Sequence, residues 1–313
     1  MTQVQTNGHL VTNGVHDTNG VKPEPSLEER TPEFGFEVVQ GFFVQNGPKP
    51  KHVEFEEILQ KSFGLVDQSP ERWTNLKASL KKLQDEAPEG VQYKVLFLGR
   101  HGQGWHNFGN AKYGDDWDHK WALLTGDDEI TWGPDPPLTP LGIQQAQSIY
   151  AAWSREVKQG APVGAGQMKW LVSPLVRTNQ TLEASWGELV EGKPEAWEDL
   201  REIYGYHTND LRYTKTELQK RFPNVDFSSI TEDDELWTPE PRETYEHAGL
   251  RGQRAMDRLF SEGGPSETFI SVTAHAAFYR SLLKVLNHQE YELETGEMIP
   301  VVVKATKLSK SKL

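Results

Sequence analysis

Three short apolar runs, each stopping at a residue able to handle an anion, limit the fold of this chain more than any other feature. Tyr93 to Gly99 stops at Arg100-His101-Gly102, Met168 to Val172 stops at Ser173-Pro174, and Thr268 to Thr273 stops just before His275. Runs of this length, rich in branched and aromatic side chains, read as strands buried on both faces. Helical patterns come after them: Pro140 to Lys158, with Thr139 as cap and Pro140 in the first position, then Arg177 to Leu189, then His275 to Leu286. Residues 54–63, 71–84 and roughly Pro241 to Phe260 also read as helical. Alternating strands and helices predict a three-layer α/β fold, a mainly parallel central sheet with helices on both faces. In such a sheet, ligands bind at the carboxyl ends of the strands. His101, Arg177 and His275 are therefore expected to meet, although they lie far apart in sequence. Two histidines and two arginines (Arg100 and Arg177) suit a metal ion poorly and a phosphoryl dianion well.

A length of 313 residues fits one large or two small domains. Thr-Asn-Gly recurs at 6–8, 12–14 and 18–20, and so polar a tract predicts a disordered tail over residues 1–33. Phe34 to Val44 reads as a strand, and a single domain is expected over 34–303, with a flexible tail over 304–313. Residues 103–138 and 203–240 show little periodicity and many aromatics, as expected of insertions that build a pocket. The balance of 33 basic against 46 acidic residues, a net −13, argues against nucleic acid or anionic membrane as general partners. No run of 18 apolar residues is present, so no membrane span is expected. Met1 to Leu10 lacks the features of a signal peptide. With no cysteine there is no disulfide, thiolate nucleophile or cysteine-held zinc, which permits an intracellular, reducing compartment without requiring it. Ser311-Lys312-Leu313 reads as a peroxisomal address, which makes the import receptor an expected partner and the peroxisome the expected location, with the cytoplasm as alternative.

Leu98-Gly99-Arg100-His101-Gly102 resembles the R-H-G signature of the histidine phosphatase superfamily, which includes phosphoglycerate mutases, and Asn107 matches its R-H-G-x-x-x-x-N spacing. Leu138 to Ala146 is similar to its L-T-x-x-G-x-x-Q-A segment, and Ser173 to Thr181 to its S-x-x-x-R-t-x-Q-T segment. Leu200-Arg201-Glu202 and Ala274-His275 match its acid and its second histidine. Five such matches in order, over about residues 90 to 290, are far more specific than any one of them. Gly41-Phe42-Phe43, Gly205 to Asp210, and Phe222 to Trp237 extend the likeness to a fungal and plant branch with phosphomutase-like members.

The resemblance implies a phosphomonoester hydrolase acting on a small phosphorylated metabolite, and it calls for no metal or cofactor. His101 would attack phosphorus, its other nitrogen held by a backbone carbonyl. Arg100, Arg177, Asn107, protonated His275 and the N–H of Ala276 would bind the phosphoryl oxygens. Glu202 would carry the proton, with Glu198 and Asp199 as alternatives. Gln103, Trp105, Tyr206, His207 and Arg212 are candidate pocket residues. His106 and His207 fit a structural role as well as a substrate contact, and a zinc set of His101, His106 and His207 fits no familiar spacing. The basic residue usual after Asp210 is replaced by Leu211, which favours a hydrolase over a mutase, because a mutase must hold a second anionic group. A binding protein without activity would have lost one of these groups, and none is lost.

Overall fold

The computed structural model describes residues 30–47, 54–164, 166–264 and 267–309. The expected N-terminal tail, up to residue 29, and the Ser311-Lys312-Leu313 tripeptide lie outside them. The sheet has six strands: β1 (Phe34–Val38), β2 (Val91–Arg100), β3 (Met168–Val172), β4 (Glu195–Ala196), β5 (Phe269–Ala274) and β6 (Met298–Lys307). Their order is β1-β6-β2-β5-β3-β4. The β2-β5, β5-β3 and β3-β4 pairs are parallel, and β6 runs antiparallel to β1 and β2.

Side-chain alternation along β2 splits the interior into two layers. Val95 and Phe97 face a core shared with α2 (Arg72–Asp85), α4 (Pro140–Val157) and α5 (Val176–Trp186), with Trp153 stacked on Trp186 at 4.7 Å. Leu96 and Leu98 face the opposite core, shared with α7 (Tyr245–Glu262) and α8 (Ala276–Val285). The remaining helices, α1 (Phe55–Gln60), α3 (Trp105–Tyr113) and α6 (Lys215–Arg221), are short. The expected three-layer α/β architecture is the one observed.

Three expectations need correction. The tail expected over 304–313 is, up to Lys307, the end of β6: Ala305 is fully buried and pairs with Phe36, and Thr306 pairs with Val91. Lys304, half-buried, and Lys307, exposed, on either side of the strand's end gave that segment a tail-like composition. The strand expected from Phe34 to Val44 stops at Val38, and the chain turns at Gly41 (φ +93°), where an L side chain is disfavoured. The helix expected from Pro241 starts at Tyr245, because Thr244 Oγ1 accepts from the His247 N–H at 3.1 Å and caps it there. The cap expected at Thr139 is present, its Oγ1 accepting from Gly142 N–H at 3.1 Å.

Candidate active site

Strands β2, β5 and β3 lie side by side and end together, so the residues that follow them meet. His101 N–H donates to Ala274 O (3.0 Å), and Ser173 N–H donates to Thr273 O (3.0 Å). The His101 and His275 rings are 5.1 Å apart between centroids, and His106 lies 5.3 Å from His101. The backbone approach is close: a Cβ on Gly102 would sit 2.2 Å from Gly142 O, and one on Gly142 would sit 2.2 Å from Gln103 O. Only glycine at both positions lets the loop after β2 lie against the start of α4.

His101 is buried, with Nδ1 2.7 Å from Gly102 O. A carbonyl accepts only from N–H, so the proton sits on Nδ1 and the Nε2 lone pair is free. Thr181 Oγ1 accepts from Gly102 N–H (3.0 Å) and donates to Arg177 O (2.7 Å), tying that loop to α5. Arg177 is fully buried on α5, donating to Asn209 O and Asp210 Oδ1, both at 2.9 Å. Arg100 donates from Nη1 to Leu293 O (2.7 Å). Asn107 Oδ1 accepts from Gly104 N–H (2.9 Å), which leaves its NH₂ as a donor. His275 Nε2 lies 2.8 Å from Ser173 Oγ.

Arg100 Nε, Arg177 Nε, His106 Nδ1 and His275 Nδ1 are buried with no hydrogen-bond partner among the described residues. An orphaned buried polar group costs about 1–3 kcal/mol, more when charged. Four of them gather around the neighbouring strand ends.

Burial, then the Arg177 charge, holds His101 and His275 well below the ordinary histidine range, and His106 likewise. His101 is thus held in its neutral form. His275 is held toward the neutral form by the same burial and the same Arg177 charge. A bound dianion would reverse the sign of the local field.

Glu202, half-buried, is pushed up by burial and then by the Asp210 charge. Its Oε1 accepts from Phe278 N–H and Ile203 N–H, both at 3.0 Å, and Oε2 accepts from Ala277 N–H at 3.3 Å. The carboxyl therefore sits at the first turn of α8, next to His275. The alternatives are engaged elsewhere: Glu198 pairs with Arg212 and Arg201, and Asp199 with Arg254. Ala276 opens α8 directly after His275.

The candidate pocket residues divide. His207 is buried with Nε2 3.7 Å from Asp118 Oδ1, burial lowering its pKa, and Tyr206 is half-buried beside it at φ +67°. Gln103 Oε1 accepts from Thr139 Oγ1 (2.8 Å), so that side chain holds the α4 start. Trp105 packs against Phe108 and the Trp117–Trp132 cluster of the first insertion. Arg212 is not a pocket residue: it is buried, and its guanidinium donates to Glu198 Oε1, Tyr213 O, Glu232 O, Thr231 O and Asp233 O. Five acceptors, Glu198 and four backbone carbonyls between 213 and 233, leave it nothing to offer a substrate. Among the described residues no group of three or more His, Asp or Glu side chains is placed to hold a metal ion.

Sequence reasoning missed Ser173, Thr181, Asp210 and Arg242 as site residues. Arg242 donates to Asp210 Oδ2 (3.3 Å) and Gly205 O (3.2 Å), and its side chain is 26% exposed beside the site. Ser173 and Thr181 stand inside a quoted motif, but Arg242 carries no sequence signal.

The profile of the histidine phosphatase superfamily (branch 1) matches residues 96–302. The chain is 35% identical over 294 residues to a "Probable phosphoglycerate mutase" of Arthroderma benhamiae, covering 87% of this chain and 85% of that protein. It is 33% identical to "Phosphomutase-like protein 3" of Candida albicans, covering 84% and 78%. Among solved structures it is similar to a phosphoglycerate mutase from Bacillus anthracis, at 14% identity and TM-score 0.44, covering 68% of this chain and 89% of that one.

Proposed function

We propose that this chain, which belongs to the histidine phosphatase superfamily, is a phosphomonoester hydrolase that works through a phosphohistidine on His101. The observation that carries the reading is the His101 ring: Nδ1 is committed to Gly102 O, which leaves Nε2 as the nucleophile among buried donors without partners.

The Nε2 lone pair forms a bond to phosphorus as the bond to the leaving oxygen breaks, and Glu202, protonated, gives that oxygen its proton. Arg100, Arg177, Asn107 and His275 hold the equatorial oxygens, where charge is spread in the transition state. Water then attacks phosphorus, Glu202 takes its proton, and the P–N electrons return to Nε2 as inorganic phosphate departs. The raised pKa of Glu202 supports both steps, since the group must lose a proton and regain it near neutrality.

The names of the relatives favour a second reading, transfer of the phosphoryl group to another hydroxyl instead of water. Both readings share the phosphoenzyme and part at its fate. A panel of phosphorylated metabolites, assayed for inorganic phosphate and for isomerised ester, tests them. Phosphate release that disappears in His101→Ala supports the hydrolase, whereas ester isomerisation with little phosphate contradicts it.

From the sequence alone, the proposal extends to import into peroxisomes through Ser311-Lys312-Leu313. Microscopy of an N-terminally fluorescent protein, with and without Leu313, tests it, and a diffuse signal from the full-length protein would end it.

A further inference from the structure

Helix α5 starts without a cap of its own. The residue at its cap position is Leu175, whose apolar side chain accepts no hydrogen bond, and Val176 N–H, the first of the helix, has no partner within it. The acceptor comes from 41 residues earlier, where Asp135 Oδ1 accepts from Val176 N–H at 2.8 Å. One turn further along, Gln180 Oε1 accepts from Leu138 N–H at 2.8 Å. Positions 176 and 180 share one face of the helix, so residues 135–138 lie along the opening of α5. The same segment reaches α3, where Pro137 O accepts from Trp105 N–H at 3.2 Å, two residues before Asn107. One short stretch of the first insertion thus fixes Arg177, which follows Val176, relative to Asn107.

Asp135 is built into this place. It is buried, and its backbone is left-handed at φ +43°, a conformation that Asp, Asn and Gly accept more readily than most residues. Burial pushes its carboxyl up to about 7, and the strongest opposing pull is the Arg177 charge, followed by the Val176 N–H. With or without the proton, one carboxyl oxygen still accepts from that N–H.

We infer that Asp135 is a positioning residue for phosphoryl binding: by capping α5 from the first insertion, it sets where Arg177 meets the phosphoryl oxygens. It acts through Val176 and Arg177, not on the substrate. The inference rests on the role given to Arg177 in the proposed reaction, and it holds whether water or a hydroxyl takes the phosphoryl group.

Calorimetric binding of inorganic phosphate, kcat on an aryl phosphate and urea unfolding separate positioning from plain stability. Asp135→Gly keeps the left-handed backbone and removes the acceptor, whereas Asp135→Asn keeps both. In Asp135→Gly the phosphate Kd should rise about tenfold and kcat should fall by about 10²-fold, as for a small misplacement of a binding group. Asp135→Asn should stay within about threefold of wild type in both, since Asn and Asp cap equally well. Val176→Pro removes the donor at a first helical position that suits proline, after a Leu175 already extended at ψ 146°, and should match Asp135→Gly. It carries the test if Asp135→Gly does not fold. Lower stability in urea with wild-type Kd and kcat, or equal losses in Asp135→Gly and Asp135→Asn, overturns the inference. Arg177→Ala separates the two levels. If it binds phosphate as wild type does, the reading of the site falls and the inference with it. A loss in Arg177→Ala without one in Asp135→Gly keeps that reading and ends the positioning role alone.

Discussion

Glu202 is the residue whose surroundings most directly set a pH dependence. Its folded pKa lies above the ordinary carboxyl value, so the proton needed by the leaving oxygen is lost only as pH rises through that raised value. Activity on alkyl phosphates should therefore fall on the alkaline side, while His101 and His275, neutral far below pH 6.5, impose no acid limb near neutrality. Glu202→Gln should cut kcat for alkyl esters by about 10²–10⁴-fold and abolish that limb, with a much smaller loss for aryl esters, whose leaving groups need no proton. A pH–rate profile for each substrate class decides it, and equal losses would move the role away from Glu202. At this scale the sequence was informative wherever a residue's neighbours are local: His101, Arg177 and His275 stand at strand ends or helix starts that periodicity locates, and Asn107 stands at a fixed spacing from Arg100 in the motif. It was silent where a partner comes from a distant loop. Arg212 looked like a rim cation until its five acceptors within residues 198–233 were seen, and Arg242 looked like nothing.

Strand β6 shows what an element can hide. Its apolar half, Met298 to Val303, ends in Lys304 to Lys307, where alternation between a buried Ala305 and exposed or half-buried neighbours reads as a polar tail. Its register against Phe34–Val38 on one side and Val91–Gly99 on the other closes the sheet next to the strand that carries His101. Truncation after Val303 removes several of those hydrogen bonds and the buried Ala305. At about 1 kcal/mol for each bond lost, stability should fall by on the order of 4 kcal/mol. Urea unfolding measures it; a truncation as stable as the full chain would restore the tail. The parallel strands β2, β3 and β5 were legible because burial on both faces forces a continuous apolar run. α6 and the two-residue β4 were not, because their residues join the core only through the fold of the second insertion.

On the scale of the whole molecule, the ends of β2, β5 and β3 gather buried polar atoms of Arg100, Arg177 and His275 that no group among the described residues pairs. Buried donors at Arg100, Arg177 and His275 lack partners until an oxyanion arrives, so phosphate or vanadate should bind the native state alone and stabilise it. At a hundred times Kd the gain is about 2.7 kcal/mol, or about 5 °C in Tm for a chain of this size. Arg177→Ala should remove most of that shift in a thermal melt with and without the anion. An unchanged shift in the variant would place the anion elsewhere. Fold class and strand-end convergence were readable because both follow from alternation of strand and helix. The depth of the site was not, because burial of Arg177 depends on Asp210 and Asn209, which the second insertion brings across more than thirty residues.

The central claim is a covalent bond between phosphorus and His101 Nε2. Rapid-quench mixing with a phosphate-labelled substrate, followed by peptide mapping under alkaline conditions, measures it directly. An acid-labile, base-stable label is expected on the peptide that contains His101, appearing faster than phosphate is released and absent from His101→Ala. Turnover with no labelled intermediate, or a label on His275 or His106 that survives loss of His101, would contradict it.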